Sequence, residues 1–168
     1  QCWPDDGGRF ITLPCVVTQD PDTGARNIGM YRMQVFDHQT TGMHWQLQKV
    51  AARHGRRYYE KGERMPVSVF LGGDPVYPFC ATAPLPDGLD ELLLAGYLRR
   101  DSVPLVKCET NNLQVPANAD IVIEGYIDPT EPLRSEGPFG DHTGYYTLPE
   151  DYPAFHITAI THRNDAVY

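Results

Sequence analysis

The chain has 168 residues, enough for one domain with a sizeable core. Its formal net charge of −8, with no long basic run to offset it, excludes a protein built to grip nucleic-acid phosphates. A composition of 41% hydrophobic and 21% charged residues excludes a disordered chain, and no apolar run approaches the ~20 residues that cross a bilayer as a helix.

The four cysteines, Cys2, Cys15, Cys80 and Cys108, are scattered and form no Cys-x-x-Cys pair. That excludes a zinc ribbon or a thioredoxin-type site and suits buried thiols in a reducing, cytoplasmic setting. The start at Gln1 without Met and the strand-like ending Ala166-Val167-Tyr168 lead to the expectation of a piece of a longer protein.

Fifteen prolines and fifteen glycines cut the sequence into short segments. Residues 10–18 are β-branched and apolar and read as a strand. Asp20-Pro21-Asp22-Thr23-Gly24 is a turn, and 27–36 reads as the partner strand of a hairpin. Residues 43–52 read as a strand leading into a helix, and the basic cluster Arg53-His54-Gly55-Arg56-Arg57 as a solvated turn. A strand over 66–71 is closed by Gly72-Gly73-Asp74-Pro75, and the proline-bounded stretch 80–86 reads as a loop. Residues 89–100 have helical composition, with Leu89, Leu92, Leu93 and Tyr97 on one face and Asp87 as the cap. Strands are expected at 103–108, 121–127 and 155–161, the middle one with Glu124 inside an apolar run. Together these predict a mainly β (α+β) fold: a β-barrel core with one or two helices.

The stretch with the densest chemistry is Glu136-Gly137-Pro138-Phe139-Gly140-Asp141, followed by His142, Tyr145 and Tyr146. Its glycines and proline predict a bent loop able to aim both carboxylates into one space. There each would raise the other's pKa, one route to a general acid; the plain alternative is a solvated acidic turn. Arg32, between Tyr31 and Met33, needs a carboxylate, either as a salt bridge within the fold or as a fork for a substrate carboxylate that Glu136 holds in place. Asn27, His44 and Glu91 form an oxygen-rich set suited to Mn²⁺ or Mg²⁺ on a phosphate rather than to structural zinc. Each also has a plain reading: His44 packed beside Trp45, and Glu91 complementing a helix dipole.

Taken together, six stretches resemble the UbiD family of reversible decarboxylases. They are Asn27-Ile28-Gly29-Met30-Tyr31-Arg32, Met43-His44-Trp45, Ala81-Thr82-Ala83-Pro84, Glu91-Leu92-Leu93-Leu94-Ala95-Gly96, Leu105-Val106-Lys107-Cys108-Glu109-Thr110-Asn111 and the Glu136–Asp141 element. The resemblance implies a central domain with the split-barrel fold of flavin reductases. It also implies prenylated FMN as cofactor, supplied by a separate flavin prenyltransferase. It assigns Asn27, His44 and Glu91 to a divalent metal, usually Mn²⁺, on the cofactor phosphate. It puts a K⁺ near Glu91 and the carbonyls of Ile28, Cys80, Ala81 and Ala83. Cofactor contacts would extend over Gly29, Met30, Tyr31, Arg32, Met43, Thr82, Ala83 and Pro84.

The family's Arg-Glu-acid triad falls on Arg32, Glu136 and Asp141, the last being Asp where some members carry Glu. The implied reaction is reversible decarboxylation of an aromatic or α,β-unsaturated carboxylic acid, here a hydroxybenzoate-type acid, through a covalent adduct with the cofactor. The partners implied are that acid, CO₂ and a second copy of the full-length protein. The resemblance further implies an N-terminal segment and a C-terminal lid and oligomerisation domain outside this chain. Two other readings stay open: an FMN-dependent oxidoreductase on the same barrel, and a non-catalytic, metal-dependent flavin-binding module.

Overall fold

Residues 10–18 do not run as one strand. In the computed structural model, which describes residues 1–46, 49–86 and 88–168, Leu13 takes a φ of +59° just before Pro14. That left-handed turn splits the stretch into β1 (Arg9–Ile11) and β2 (Cys15–Gln19). Strand β3 (Arg26–Met30) pairs with β2 across a turn held by Asp20, whose Oδ1 accepts from the N–H groups of Asp22 and Thr23. The expected partner strand over 27–36 also breaks: β4 (Met33–Val35) leaves β2 and pairs with β1 and with β5 (Thr40–Gly42). Tyr31 and Arg32 lie in the gap.

Helix α1 (Val50–Lys61) takes up the end of the segment expected as strand then helix, in which Leu47 and Gln48 lie outside the described residues. The basic cluster is inside α1 and is not a solvated turn, because Ala51, Ala52, His54 and Tyr58 recur at helical spacing and are buried. After β6 (Met65–Leu71), the expected loop at 80–86 begins inside α2 (Val76–Thr82). Helix α3 (Glu91–Arg99) is capped by Asp90, whose side chain accepts from the Leu92 N–H at 2.8 Å; the expected cap Asp87 lies outside the described residues. The described residues thus hold three helices rather than one or two.

The hairpin β7 (Leu105–Lys107) and β8 (Gln114–Pro116) leads to β9 (Ile121–Ile127). Then come β10 (Arg134–Glu136), β11 (Phe139–Gly140), β12 (Tyr146–Thr147), β13 (Glu150–Tyr152) and the long β14 (Ala154–His162). Eight strands form one antiparallel, curled half-barrel sheet in the order β1-β4-β5-β14-β9-β6-β2-β3.

Both faces of its middle are covered, which explains why nearly every residue of β2 and β6 is buried and most are apolar. Val16 and Val69 point to one core with Met33, Trp45, Phe155 and the buried face of α1. Their neighbours Val17 and Phe70 point to a second core with Tyr77 and Cys80 of α2 and Leu92 and Ala95 of α3. Cys15, Cys80 and Cys108 are buried free thiols, while Cys2 is exposed. Glu124, the charge inside the apolar run of β9, is buried and accepts from the N–H groups of Glu109 and Thr110 and from the Thr110 hydroxyl, so it pins the turn ahead of β8.

Candidate functional site

The break after β3 frees Arg32 from the sheet ladder. The β4–β5 pairing continues past its own ends through the His44 N–H, which donates to the Arg32 carbonyl at 3.3 Å, so the two residues sit on neighbouring backbones. Strand β10 ends beside them on Glu136, whose Cγ would lie 3.5 Å from a Cβ added at Gly42. Three side chains converge there. Arg32 Nε donates to Glu136 Oε1 at 2.8 Å, and His44 Nδ1 lies 2.6 Å from Oε2. A carboxylate only accepts, so His44 donates to it through Nδ1–H.

Arg32 also donates to Thr147 Oγ1 at 3.2 Å and lies over the Phe139 ring, 4.3 Å from its centre. Glu136 is 1% exposed. Burial pushes its carboxyl up, but the His44 and Arg32 bonds outweigh this and hold it below the ordinary value. An ionised carboxylate in such a place is stable only because both oxygens are paired.

Asp141 opens the turn between β11 and β12, with its side chain 21% exposed. Its N–H donates to the Tyr145 carbonyl, and Oδ2 accepts from the Thr143 N–H at 3.2 Å. Burial raises its carboxyl, but the Thr143 bonds and the neighbouring His142 bring it below the ordinary value. The expectation that Glu136 and Asp141 raise one another is therefore overturned: each is depressed by its own hydrogen-bond donors.

A cavity of about 470 Å³ adjoins this cluster along the chain. Asn27, Gly29, Met30 and Tyr31 line one side, and Thr82, Ala83, Pro84 and Glu91 another. The start of α1 adds Lys49 and Arg53, and its N-terminal N–H groups carry no side-chain cap. Asn27 Nδ2 is buried without a hydrogen-bond partner. Glu91 receives the Ile28 N–H at 2.8 Å, yet burial still pushes its carboxyl up. An orphaned amide, a desolvated carboxylate and a helix start with basic residues fit a phosphate carrying a divalent cation.

His44, Met43 and Arg32 do not line this cavity. Met43 is wholly buried in the apolar core. The expected set of Asn27, His44 and Glu91 is thus not assembled around one cavity, because His44 is turned to Glu136 instead. Among the described residues, no three His, Cys, Asp or Glu side chains are grouped as a metal would require. Of the carbonyls expected near K⁺, that of Cys80 accepts from Ala83 N–H and that of Ala83 from Leu85 N–H. Sequence reasoning missed the bond from His44 to Glu136 and the support that Thr147 gives Arg32, since no local pattern links such distant positions. A larger cavity of about 1110 Å³, lined by Trp45, Tyr58, Met65, Ile127 and Tyr152 among others, contains none of the expected site residues.

An uncharacterized protein of Archaeoglobus fulgidus is 57% identical over the whole of this chain, which covers 35% of that relative. The chain thus spans about a third of the length of such curated relatives. Among solved structures, an evolved dimeric form of the UbiD-class enzyme HmfF from Pelotomaculum thermopropionicum, in complex with prFMN, superposes with a TM-score of 0.94 at 34% identity, over 100% of this chain and 39% of that one. Vanillic acid decarboxylase from Sedimentibacter hydroxybenzoicus, in closed form, gives a TM-score of 0.94 at 29% identity, over 100% and 36% of the two chains. The fold alone extends to nitrilotriacetate monooxygenase component B of Bacillus cereus, with a TM-score of 0.55 at 17% identity over 94% and 73%. The model of the 3-octaprenyl-4-hydroxybenzoate carboxy-lyase Rift-related domain matches residues 1–168 from end to end, and the chain belongs to the UbiD family.

Proposed function

We propose that this chain is the flavin-holding unit of a longer decarboxylase that uses prenylated FMN to remove CO₂ reversibly from a hydroxybenzoate-type acid. The observation that carries the reading is the Arg32–Glu136 pair, built on the residue next to a cavity edged by Asn27 and Glu91. The similarity to the prFMN-bound HmfF enzyme and to vanillic acid decarboxylase supports it.

Bound prenylated FMN supplies the electron sink that an sp² carbon needs to shed CO₂. The chain's own residues bind, aim and move a proton. Lys49, Arg53 and the start of α1 would hold the cofactor phosphate, and Asn27 and Glu91 would hold a divalent cation that neutralises its charge. Flipping the Asn27 amide would place its oxygen where the unpartnered Nδ2 now lies, giving the site an acceptor that a cation can use. Arg32 takes the substrate carboxylate: Glu136 and Thr147 use two of its five N–H donors, and the rest of the fork suits a carboxylate. Glu136 keeps the guanidinium from swinging, and Asp141 returns a proton to the carbon that has lost CO₂.

The test is co-expression of the full natural polypeptide with a flavin prenyltransferase, followed by ligand mass, absorption spectrum and CO₂ release from a panel of hydroxybenzoates. Retained prenylated FMN with CO₂ release is the expected result. Reduction of plain FMN by a nicotinamide would replace the reading with an oxidoreductase. Flavin retained without either activity would leave a binding module. In the same preparation, Glu91→Gln is expected to weaken metal and flavin retention together, by about tenfold or more. Unchanged retention would remove Glu91 from the cation site.

A further inference from the structure

We propose that His44 is a positioning residue: through Glu136 it fixes the direction in which Arg32 presents its guanidinium to a substrate carboxylate. The inference rests on the decarboxylase reading and deepens it, and it moves His44 from the metal to the Arg32–Glu136 pair.

Four observations carry it. The main-chain bond from the His44 N–H to the Arg32 carbonyl, at 3.3 Å, ties the two residues side by side on neighbouring backbones. Glu136 divides its oxygens, one to each side chain, at 2.8 and 2.6 Å, so rotating the carboxylate breaks both bonds at once. The imidazole is itself held against the Tyr152 ring, with centroids 4.3 Å apart. Tyr152 in turn donates its hydroxyl to Glu150 Oε2 at 2.5 Å, and Glu150 faces Glu136 directly across the β10–β13 pair. The imidazole is therefore clamped on one side by a ring and on the other by the carboxylate it supports.

Without His44, Glu136 Oε2 would be a buried acceptor with one partner lost, free to rotate about its terminal torsion and carry Arg32 with it. A metal-bound histidine also donates its second N–H to a carboxylate. The two roles are separated here by place, since His44 does not line the cavity that holds Asn27 and Glu91.

The deciding experiment uses the full natural polypeptide loaded with prenylated FMN, as wild type, His44→Leu and His44→Asn. Its readouts are manganese content, flavin content, affinity for a non-reacting benzoate followed by flavin fluorescence, and turnover. Positioning predicts metal and flavin content unchanged in both variants. It also predicts benzoate affinity and kcat each about tenfold or more lower in His44→Leu, with partial recovery in His44→Asn, whose amide can still donate to Glu136. Nitrogen NMR of the wild-type ring adds a readout independent of activity: an Nδ1–H tautomer that is lost in Glu136→Gln. Loss of metal and flavin together in His44→Leu would return His44 to the ligand role. Unchanged benzoate affinity would overturn the positioning role as well. A wild-type holoprotein that releases no CO₂ would defeat the decarboxylase reading instead, and benzoate affinity and ring tautomer would still decide the place of His44.

Discussion

Glu136→Ala is expected to lower stability by about 3–5 kcal/mol and to remove measurable turnover in the full natural polypeptide. The magnitude follows from what is left behind. Arg32 has only 14% of its side chain exposed, and the Glu136 side chain is fully buried, so deleting the carboxylate strands a guanidinium that water barely reaches. The His44 ring loses its acceptor in the same step. At about 2–4 °C per kcal/mol for a unit of this size that is a fall in Tm of roughly 6–20 °C, readable as an earlier melt of this unit.

Glu136→Gln separates shape from charge. Its amide oxygen still accepts from Arg32 and the volume is kept, so the melt should fall less while turnover still drops, because a neutral partner anchors the guanidinium less firmly. An alanine variant that melts with wild type would mean that the three-residue cluster contributes nothing net to the fold.

How much of this was legible depends on whether the deciding contacts are local. Strands β6, β9 and β14 were readable because their apolar residues match a covered or half-covered sheet and no rival pattern competes. The breaks at Leu13 and at Tyr31–Arg32 were not, because the apolar pattern runs straight through them. The pairing of β4 with β1, an element distant in sequence, and with its chain neighbour β5 decides where each strand stops. The basic cluster read as a turn because it is short and followed by acidic residues; in the structure its Gly55 is the point where α1 approaches Trp45, whose ring would lie 3.2 Å from an added Cβ. The Arg32–Glu136 partnership came from resemblance, since 104 positions separate the two residues. The bond from His44 to Glu136 spans 92 positions and had no such guide, and the resemblance pointed His44 to a metal instead.

Asp141→Asn should leave flavin and metal content unchanged and lower kcat by about 10²–10⁴-fold, the usual worth of a positioned acid. Its environment sets a second expectation. Thr143 and His142 hold the Asp141 carboxyl below its ordinary value of 3.8, so at neutral pH the residue is a carboxylate and must take up a proton before it can donate one. Its partly exposed position in the β11–β12 turn gives water access for that uptake. The sign follows: as pH falls toward the ordinary carboxylate range, the protonated fraction grows. The kcat/KM of wild type should therefore rise on mild acidification, before the fold suffers, and Asp141→Asn should lose that dependence. His142→Ala removes the neighbouring imidazole that helps depress Asp141, so it should move the same limb to higher pH with little change in flavin content. Turnover of Asp141→Asn within tenfold of wild type would reject the acid role outright. A wild-type rate indifferent to pH through this range would place the proton source on another group.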